Sequence, residues 1–187
     1  MLVNIITKNP DKLAVAKSVF SKFGIEVNQI TKDFPEIQAD ASLEIARYTA
    51  IQASKELNIP VIREDHSLII NALGIPGRYT SFIERRLSVN KLLKLLDNEK
   101  DRSGYFEIAT VYAEPSGLIK EYSYRVPVFF ETQERVPDPR KGWNGIIRLA
   151  EESRTFTEYP AEERLHVWGR NYESIARFLN SRKNPRE

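Results

Sequence analysis

Arg63-Glu64-Asp65-His66-Ser67-Leu68-Ile69-Ile70-Asn71-Ala72-Leu73-Gly74-Ile75-Pro76-Gly77-Arg78-Tyr79 sets two adjacent carboxylates between two apolar runs, Pro60 to Ile62 and Leu68 to Ile70. Short aliphatic runs of this kind read as buried strands, so the acids stand at a strand end. Pro76-Gly77 reads as a turn, and Tyr79 follows it. Acids at strand ends, beside a glycine that lets a backbone or a phosphate come close, are the usual build of a metal-assisted hydrolytic site. Two exposed charges ahead of a strand would give the same pattern. A second cluster, at the N-terminus, decides between the two readings.

Outward from this stretch the chain alternates strands and helices. Leu2 to Thr7 is short and aliphatic, a first buried strand. Asn9-Pro10-Asp11 breaks it and opens a helix, with Pro10 at the first helical position. Leu13, Ala16, Val19, Phe20 and Phe23 recur at helical spacing and Gly24 ends the run. Ile25 to Ile30 reads as a strand, and Leu43 to Leu57 as an alanine-rich helix broken by Asn58-Ile59-Pro60. Pro60 to Leu73 gives one or two strands, and Leu87 to Leu96 a helix. Tyr105 to Ala113 and Leu118 to Phe130 read as long strands joined by the turn Glu114-Pro115-Ser116-Gly117. Val136 to Gly145 reads as a loop and Tyr172 to Leu179 as the last helix. The order implies an α/β fold, a mixed sheet with flanking helices.

The 187 residues suit one domain, 1–187, or one domain of two lobes. No apolar run approaches the roughly 18 residues that span a bilayer, and Met1 to Ile6 lacks the pattern of a signal peptide. With no cysteine in the chain, disulfides, thiolate metal sites and thiol nucleophiles are excluded, and the cytoplasm is the simplest compartment. Net charge is only +2. Arg177, Arg182, Lys183 and Arg186 trail into Asn184-Pro185 without interleaved stacking aromatics, which reads as a solvated tail over about 181–187. No membrane or nucleic-acid partner is expected.

The second cluster is Thr7-Lys8-Asn9-Pro10-Asp11-Lys12. A strand ends in a hydroxyl and an amide, and a lysine sits on the first turn of the next helix. Backbone N–H groups, a side-chain amide and an ammonium then point at one place, as a phosphate chain requires. Helix capping by Thr7 and Asn9, with Lys12 in solvent, is the plainer alternative.

Together with Phe34-Pro35-Glu36-Ile37-Gln38 and the Glu64-Asp65 pair, the pattern resembles the inosine/xanthosine triphosphate pyrophosphatase family, which hydrolyses nonstandard purine nucleoside triphosphates. The T-x-N-x-x-K opening, P-E-I-Q, the acid-Asp pair before an aliphatic strand, and P-G-x-Y occur in the family's order. Arg102 to Phe106 resembles R-x-A-Y-F with Gly104 for alanine, Arg154 to Tyr159 resembles K-T-F-A-E-M, and Glu163-Arg164 its E-K.

The resemblance implies cleavage between the α- and β-phosphates, giving a nucleoside monophosphate and pyrophosphate. It implies a two-lobed, elongated mixed sheet flanked by helices, a substrate cleft between the lobes, and a homodimer. The implied cofactor is Mg²⁺, with Mn²⁺ as a substitute. Asp65 would orient or deprotonate the water and touch the metal. Glu36, with Glu64 as the weaker candidate, would hold the metal through carboxylate and water. Thr7, Asn9 and Lys12 would hold the phosphates, with Thr80 and Ser81 as extra donors.

The base-recognition half departs from the family. Its F-G-[YW]-D-P-x-F loop aligns with Lys141 to Ile147, so Trp143 is kept for stacking and Asn144 replaces aspartate, adding a donor. A buried core tryptophan is the competing reading of Trp143. The S-H-R triplet aligns with Trp168-Gly169-Arg170: Arg170 is retained, serine and histidine are gone. Arg164 replaces lysine, and Thr49 stands where many members have a second phosphate-binding lysine. Base-binding candidates are therefore Trp143, Asn144, Arg164 and Arg170. The leading expectation is a Mg²⁺-dependent pyrophosphatase of altered base preference. The alternatives are a non-catalytic nucleotide-binding paralogue and a pyrophosphatase for modified pyrimidine nucleotides.

Overall fold

Parallel pairing of β1 (Leu2–Ile6) with β2 (Glu26–Ile30) and with β3 (Val61–Ile70) starts a mixed sheet. The structure is a computed structural model that describes residues 1–183. Strand order is β2-β1-β3-β5-β6-β7, with β4 (Ile75–Gly77) beside β3; β5 is Ser103–Ala113, β6 Ile119–Phe130 and β7 Ile147–Leu149. The α/β class with a mixed sheet and flanking helices is therefore observed. The chain divides into two compact units: Met1–Asp65 with Ile108–Tyr124 and Leu165–Glu187, and His66–Glu107 with Arg125–Arg164.

In the first unit each sheet face has its own helices. Helix α1 (Pro10–Ser21) starts at Asn9, whose side chain accepts from Asp11 N and Lys12 N, and Pro10 needs no N–H partner in the first turn. It buries Val15, Ala16, Val19 and Phe20 against Val3, Ile5, Ile62 and Tyr112, together with Tyr172, Ile175, Ala176 and Leu179 of α6 (Arg170–Lys183). Helix α2 (Ser42–Leu57) lays Ala46, Ala50 and Ala53 on Ile6, Val61, Val111 and Ala113. Its small residues let it lie close to the strands, and Asn58 in the left-handed conformation ends it.

Because successive strand side chains alternate faces, this packing fixes where the charges of β3 point. Ile62 and therefore Glu64 face α1 and α6. Val61, and therefore Arg63 and Asp65, face α2.

In the second unit β4 pairs antiparallel with the far half of β3, Leu68 opposite Gly77, and β7 pairs antiparallel with β6, Phe130 opposite Ile147. Leu68, Ile70, Leu92, Leu96, Phe130, Trp143, Ile146 and Ile147 are buried there. Leu92 and Leu96 come from α4 (Val89–Leu96). Arg102 donates from Nε to Phe130 O at 2.8 Å, from Nη1 to Leu96 O at 2.8 Å and from Nη2 to Glu131 O at 2.5 Å. A Cβ on Gly104 would lie 2.4 Å from Ile69 O and 2.9 Å from Phe130 Cε2, so only glycine fits where alanine is the family pattern.

Several expectations change. The acid pair lies in the middle of one ten-residue strand, not at a strand end. Pro76-Gly77 belongs to a strand, and the reversal falls at Asn71 to Gly74, where Leu73 N and Gly74 N bond Ile70 O. Helix α3 (Thr80–Glu84) and β7 are additional elements, and the loop Val136 to Gly145 contains a 3-10 segment over Pro139–Gly145. The last helix starts two residues before Tyr172 and runs to Lys183, so the first part of the expected tail is helical. Arg182 is ion-paired with Glu114. Residues 184–187 lie outside the described residues. No helix among those described is long and apolar enough to cross a membrane.

Candidate active site

The end of β1 and the first turn of α1 are tied by local hydrogen bonds. Thr7 Oγ1 accepts from Asn9 N at 3.1 Å, and Asn9 Oδ1 accepts from Asp11 N at 2.8 Å and Lys12 N at 3.3 Å. These are the capping bonds of the plainer alternative, and they orient what remains. Both oxygens accept from the backbone, so the Thr7 O–H and the Asn9 side-chain N–H₂ are the donors left over. An anion at this turn would meet side-chain donors, since Asn9 itself occupies the N–H groups of Asp11 and Lys12.

Lys12 is not a solvent lysine. Only 19% of its side chain is exposed. Its Nζ donates to Glu64 O at 3.2 Å and lies 3.9 Å from Glu64 Oε1. Burial lowers its pKa below the ordinary lysine value, and the Arg63 charge acts the same way; the negative charges of Glu64, Asp65 and Glu36 oppose the shift without cancelling it. Glu64 is thus the acid in contact with Lys12, and Asp65 and Glu36 act on it through their charges alone.

Those acids do not sit together. Glu64 is buried on the α1/α6 side, with 3% of its side chain exposed. Its Oε2 accepts from Thr110 Oγ1 at 3.3 Å. Thr110 Oγ1 in turn accepts from Asn171 Nδ2 at 3.0 Å, and that amide also meets Ile108 O and Tyr122 O at 3.0 and 3.2 Å. The buried Tyr172 hydroxyl has its pKa raised well above the ordinary tyrosine value, by burial first and then by the Glu64 charge. Glu64 is therefore a buried anion that anchors Lys12.

Asp65 faces the other way, partly exposed, and its carboxylate has no hydrogen-bond or ion-pair partner among the described residues. Glu36 stands on the loop ahead of α2, on the Asp65 side, and is ion-paired with Arg63. Among the described residues no three His, Cys, Asp or Glu side chains are gathered as a ready-made metal cage.

The remaining expected residues fall into place as follows. Thr80 and Ser81 belong to the second unit. Thr80 Oγ1 accepts from Leu68 N at 2.8 Å and donates to Gly77 O at 2.6 Å, which commits its proton to holding α3 against the β3–β4 pair. Ser81 is exposed on α3. Trp143 corrects the stacking expectation: it is 1% exposed, its Nε1 donates to Leu87 O at 2.7 Å, and its backbone N donates to Glu84 Oε1 at 3.0 Å. The ring is a core residue and presents no face to solvent.

Asn144 is partly exposed, with its carbonyl accepting from Thr157 N at 3.2 Å. Arg164 donates from Nε to Tyr159 O at 2.8 Å and lies over the Phe156 ring at 4.5 Å. Arg170 is exposed in the first unit at the start of α6, 5.7 Å from the Tyr124 ring centroid. Beside it, a Cβ on Gly169 would lie 2.6 Å from Val19 Cγ2. The position that aligns with the family's histidine is thus packed against α1 and has no room for a side chain.

Sequence reasoning missed Arg63, Thr110, Asn171 and Tyr172. For Arg63 the available signal was a cation inside an otherwise apolar strand. The other three depend on register between distant segments and carry no local signal.

Comparison with known proteins identifies the family. The model of the Ham1 family matches residues 3–172. The chain is 34% identical to a dITP/XTP pyrophosphatase of Methanopyrus kandleri over 98% of its length and 97% of the relative's. It is 31% identical to a dITP/XTP pyrophosphatase of Thermococcus kodakarensis over 96% and 97%. Among solved structures, the Ham1 protein of Staphylococcus aureus superposes with a TM-score of 0.78 at 22% identity, over 97% of this chain and all of that one. The HAM1 protein of Coxiella burnetii gives 0.77 at 22% identity, over the same shares. On the extent of these matches, the chain belongs to the Ham1 family.

Proposed function

We propose that this protein hydrolyses nonstandard purine nucleoside triphosphates, of the dITP and XTP kind, to the monophosphate and pyrophosphate. The observation that carries the reading is Lys12, held against buried Glu64 on the first turn of a capped helix, within the electrostatic reach of Asp65 and Glu36. Thr7, Asn9 and Lys12 bind the phosphate chain. Asp65, the acid without a partner, takes the proton of the water that attacks the α-phosphorus as the α–β anhydride bond breaks and pyrophosphate leaves. Relatives named dITP/XTP pyrophosphatase, matched almost end to end, support the same reaction.

A divalent cation is part of the reading. Lys12 and Arg63 stand against Glu36, Glu64 and Asp65, so the cluster is formally −1 and would repel a bare triphosphate. Mg²⁺ is commonly held by one or two carboxylates, with waters and substrate phosphates completing the shell. Asp65 and Glu36 fit that role, with Mn²⁺ as a substitute, and Glu64, turned to the opposite face, does not. When bound, the cation would neutralise phosphate charge and polarise the anhydride. Altered base preference is also part of the proposal, supported by the closed Gly169 position and the buried Trp143. A homodimer is proposed from the family resemblance, and a cytoplasmic location from the cysteine-free sequence.

Chromatography of the products of ITP in Mg²⁺ buffer tests the reading. Equimolar IMP and pyrophosphate, abolished by chelator and restored by Mg²⁺ or Mn²⁺, is the expected result. IDP and orthophosphate would contradict the cleavage site.

A further inference from the structure

Deepening that reading, and resting on it, we infer that Arg63 is a second phosphate-binding cation of this site, supplied from β3 to the face opposite Lys12's anchor. The α2 side of the sheet needs a cation of its own. The face that α2 turns inward carries Ser42, Ala46, Thr49, Ala50 and Ala53, none of them charged. Ser42 and Thr49 are buried there, their hydroxyls without partners. The inward face of α2 therefore brings no charge here, and Arg63 is the cation two residues before Asp65 on the same side of the strand.

The geometry of the guanidinium fits that use. Nη1 donates to Ile6 O at 3.3 Å, at the end of β1 just before Thr7, and Nη2 pairs with Glu36. Nε is buried with no partner. Two of the five N–H donors are therefore engaged and Nε–H is buried, which leaves one N–H on each of Nη1 and Nη2 for phosphate oxygens. The side chain is held rather than free, with 18% exposed, while its partner Glu36 is 54% exposed and solvated. Rigid placement lowers the ordering cost of binding, and Glu36 can stay hydrated if the fork shifts toward a ligand. Lys12 feels the Arg63 charge across the strand.

An arginine that only clamps the Glu36 loop would share most of these contacts, so the test must separate the two roles. Binding of magnesium tripolyphosphate is measured by calorimetry for wild type, Arg63→Gln and Arg63→Lys, with thermal unfolding of each as the folding control. The proposal expects Arg63→Gln to bind about tenfold or more weakly. It expects Arg63→Lys to recover part of that loss through charge alone, and the Mg²⁺ concentration for half-maximal binding to stay within about twofold. Unchanged affinity in Arg63→Gln would overturn it. So would a loss that lysine does not mend and excess Mg²⁺ does, since Arg63 would then act only through Glu36. The assay needs no turnover: a wild type that releases no pyrophosphate would defeat the functional reading and leave this comparison standing.

Discussion

Lys12 carries its charge at a cost, because burial lowers its pKa more than the three neighbouring acids raise it. The ammonium therefore loses its proton at a pH below that of an ordinary lysine, and phosphate binding should weaken as pH rises through that lowered value. Arginine stays charged throughout. In Lys12→Arg the alkaline rise of KM is expected to move to higher pH, and in Lys12→Met KM should be raised about tenfold or more at neutral pH. KM profiles across the alkaline range check both. The linked effect on stability has the opposite sense. In that window the unfolded chain binds more protons at this site than the folded one, so the site favours folding increasingly as pH rises. A wild-type KM that is flat to the pH where surface lysines titrate would contradict the account.

At the scale of elements, β3 shows how a strand interior can hold Arg-Glu-Asp-His. Glu64 is answered by Lys12 and Thr110, Arg63 by Ile6 O and Glu36, and Asp65 lies partly exposed on the α2 side. Close packing sets the other limit. Gly104→Ala, although alanine is the family pattern, would push a methyl into Ile69 O and Phe130. It is expected to lower stability by about 1–3 kcal/mol, read from urea unfolding. A neutral or stabilised variant would show that the β3–β5 contact yields. These cases also mark what was legible in the sequence. Apolar runs and caps gave the long elements in order, since period and punctuation are local signals. A charged segment inside a buried strand reads as a break, because its partners lie on other elements. Elements of three to five residues, such as β4, α3 and β7, are too short for a period to declare itself. Trp143 in a glycine-bearing loop reads equally as ligand platform or core, and only its bond to Leu87 O, 56 residues away, decides.

For the whole molecule, the cluster proposed to take phosphates and metal could be picked out in the sequence because a strand, a cap and a helix follow one another directly. The base-recognition residues did not, since their roles depend on distant packing. Trp143, Asn144 and Arg164 lie in the second unit and Arg170 in the first. Loss of the histidine is structural as well as sequential: Val19 occupies the space beside Gly169. A pocket without that donor should discriminate less sharply for the 6-keto group of inosine, because unpaired polar groups are what make discrimination steep. The expected outcome is a narrowed ratio of kcat/KM between ITP and ATP, and Gly169→His should not restore it, since the side chain cannot enter. A ratio that Gly169→His widens would contradict this.

The central claim is tested most directly by pyrophosphate release in Mg²⁺ buffer across ITP, dITP, XTP, GTP, ATP and modified pyrimidine triphosphates, with Asp65→Asn alongside. The account expects release from dITP, ITP or XTP ahead of the others, falling by at least about a hundredfold in Asp65→Asn. Binding without release from any nucleotide, or release that Asp65→Asn leaves intact, would contradict it.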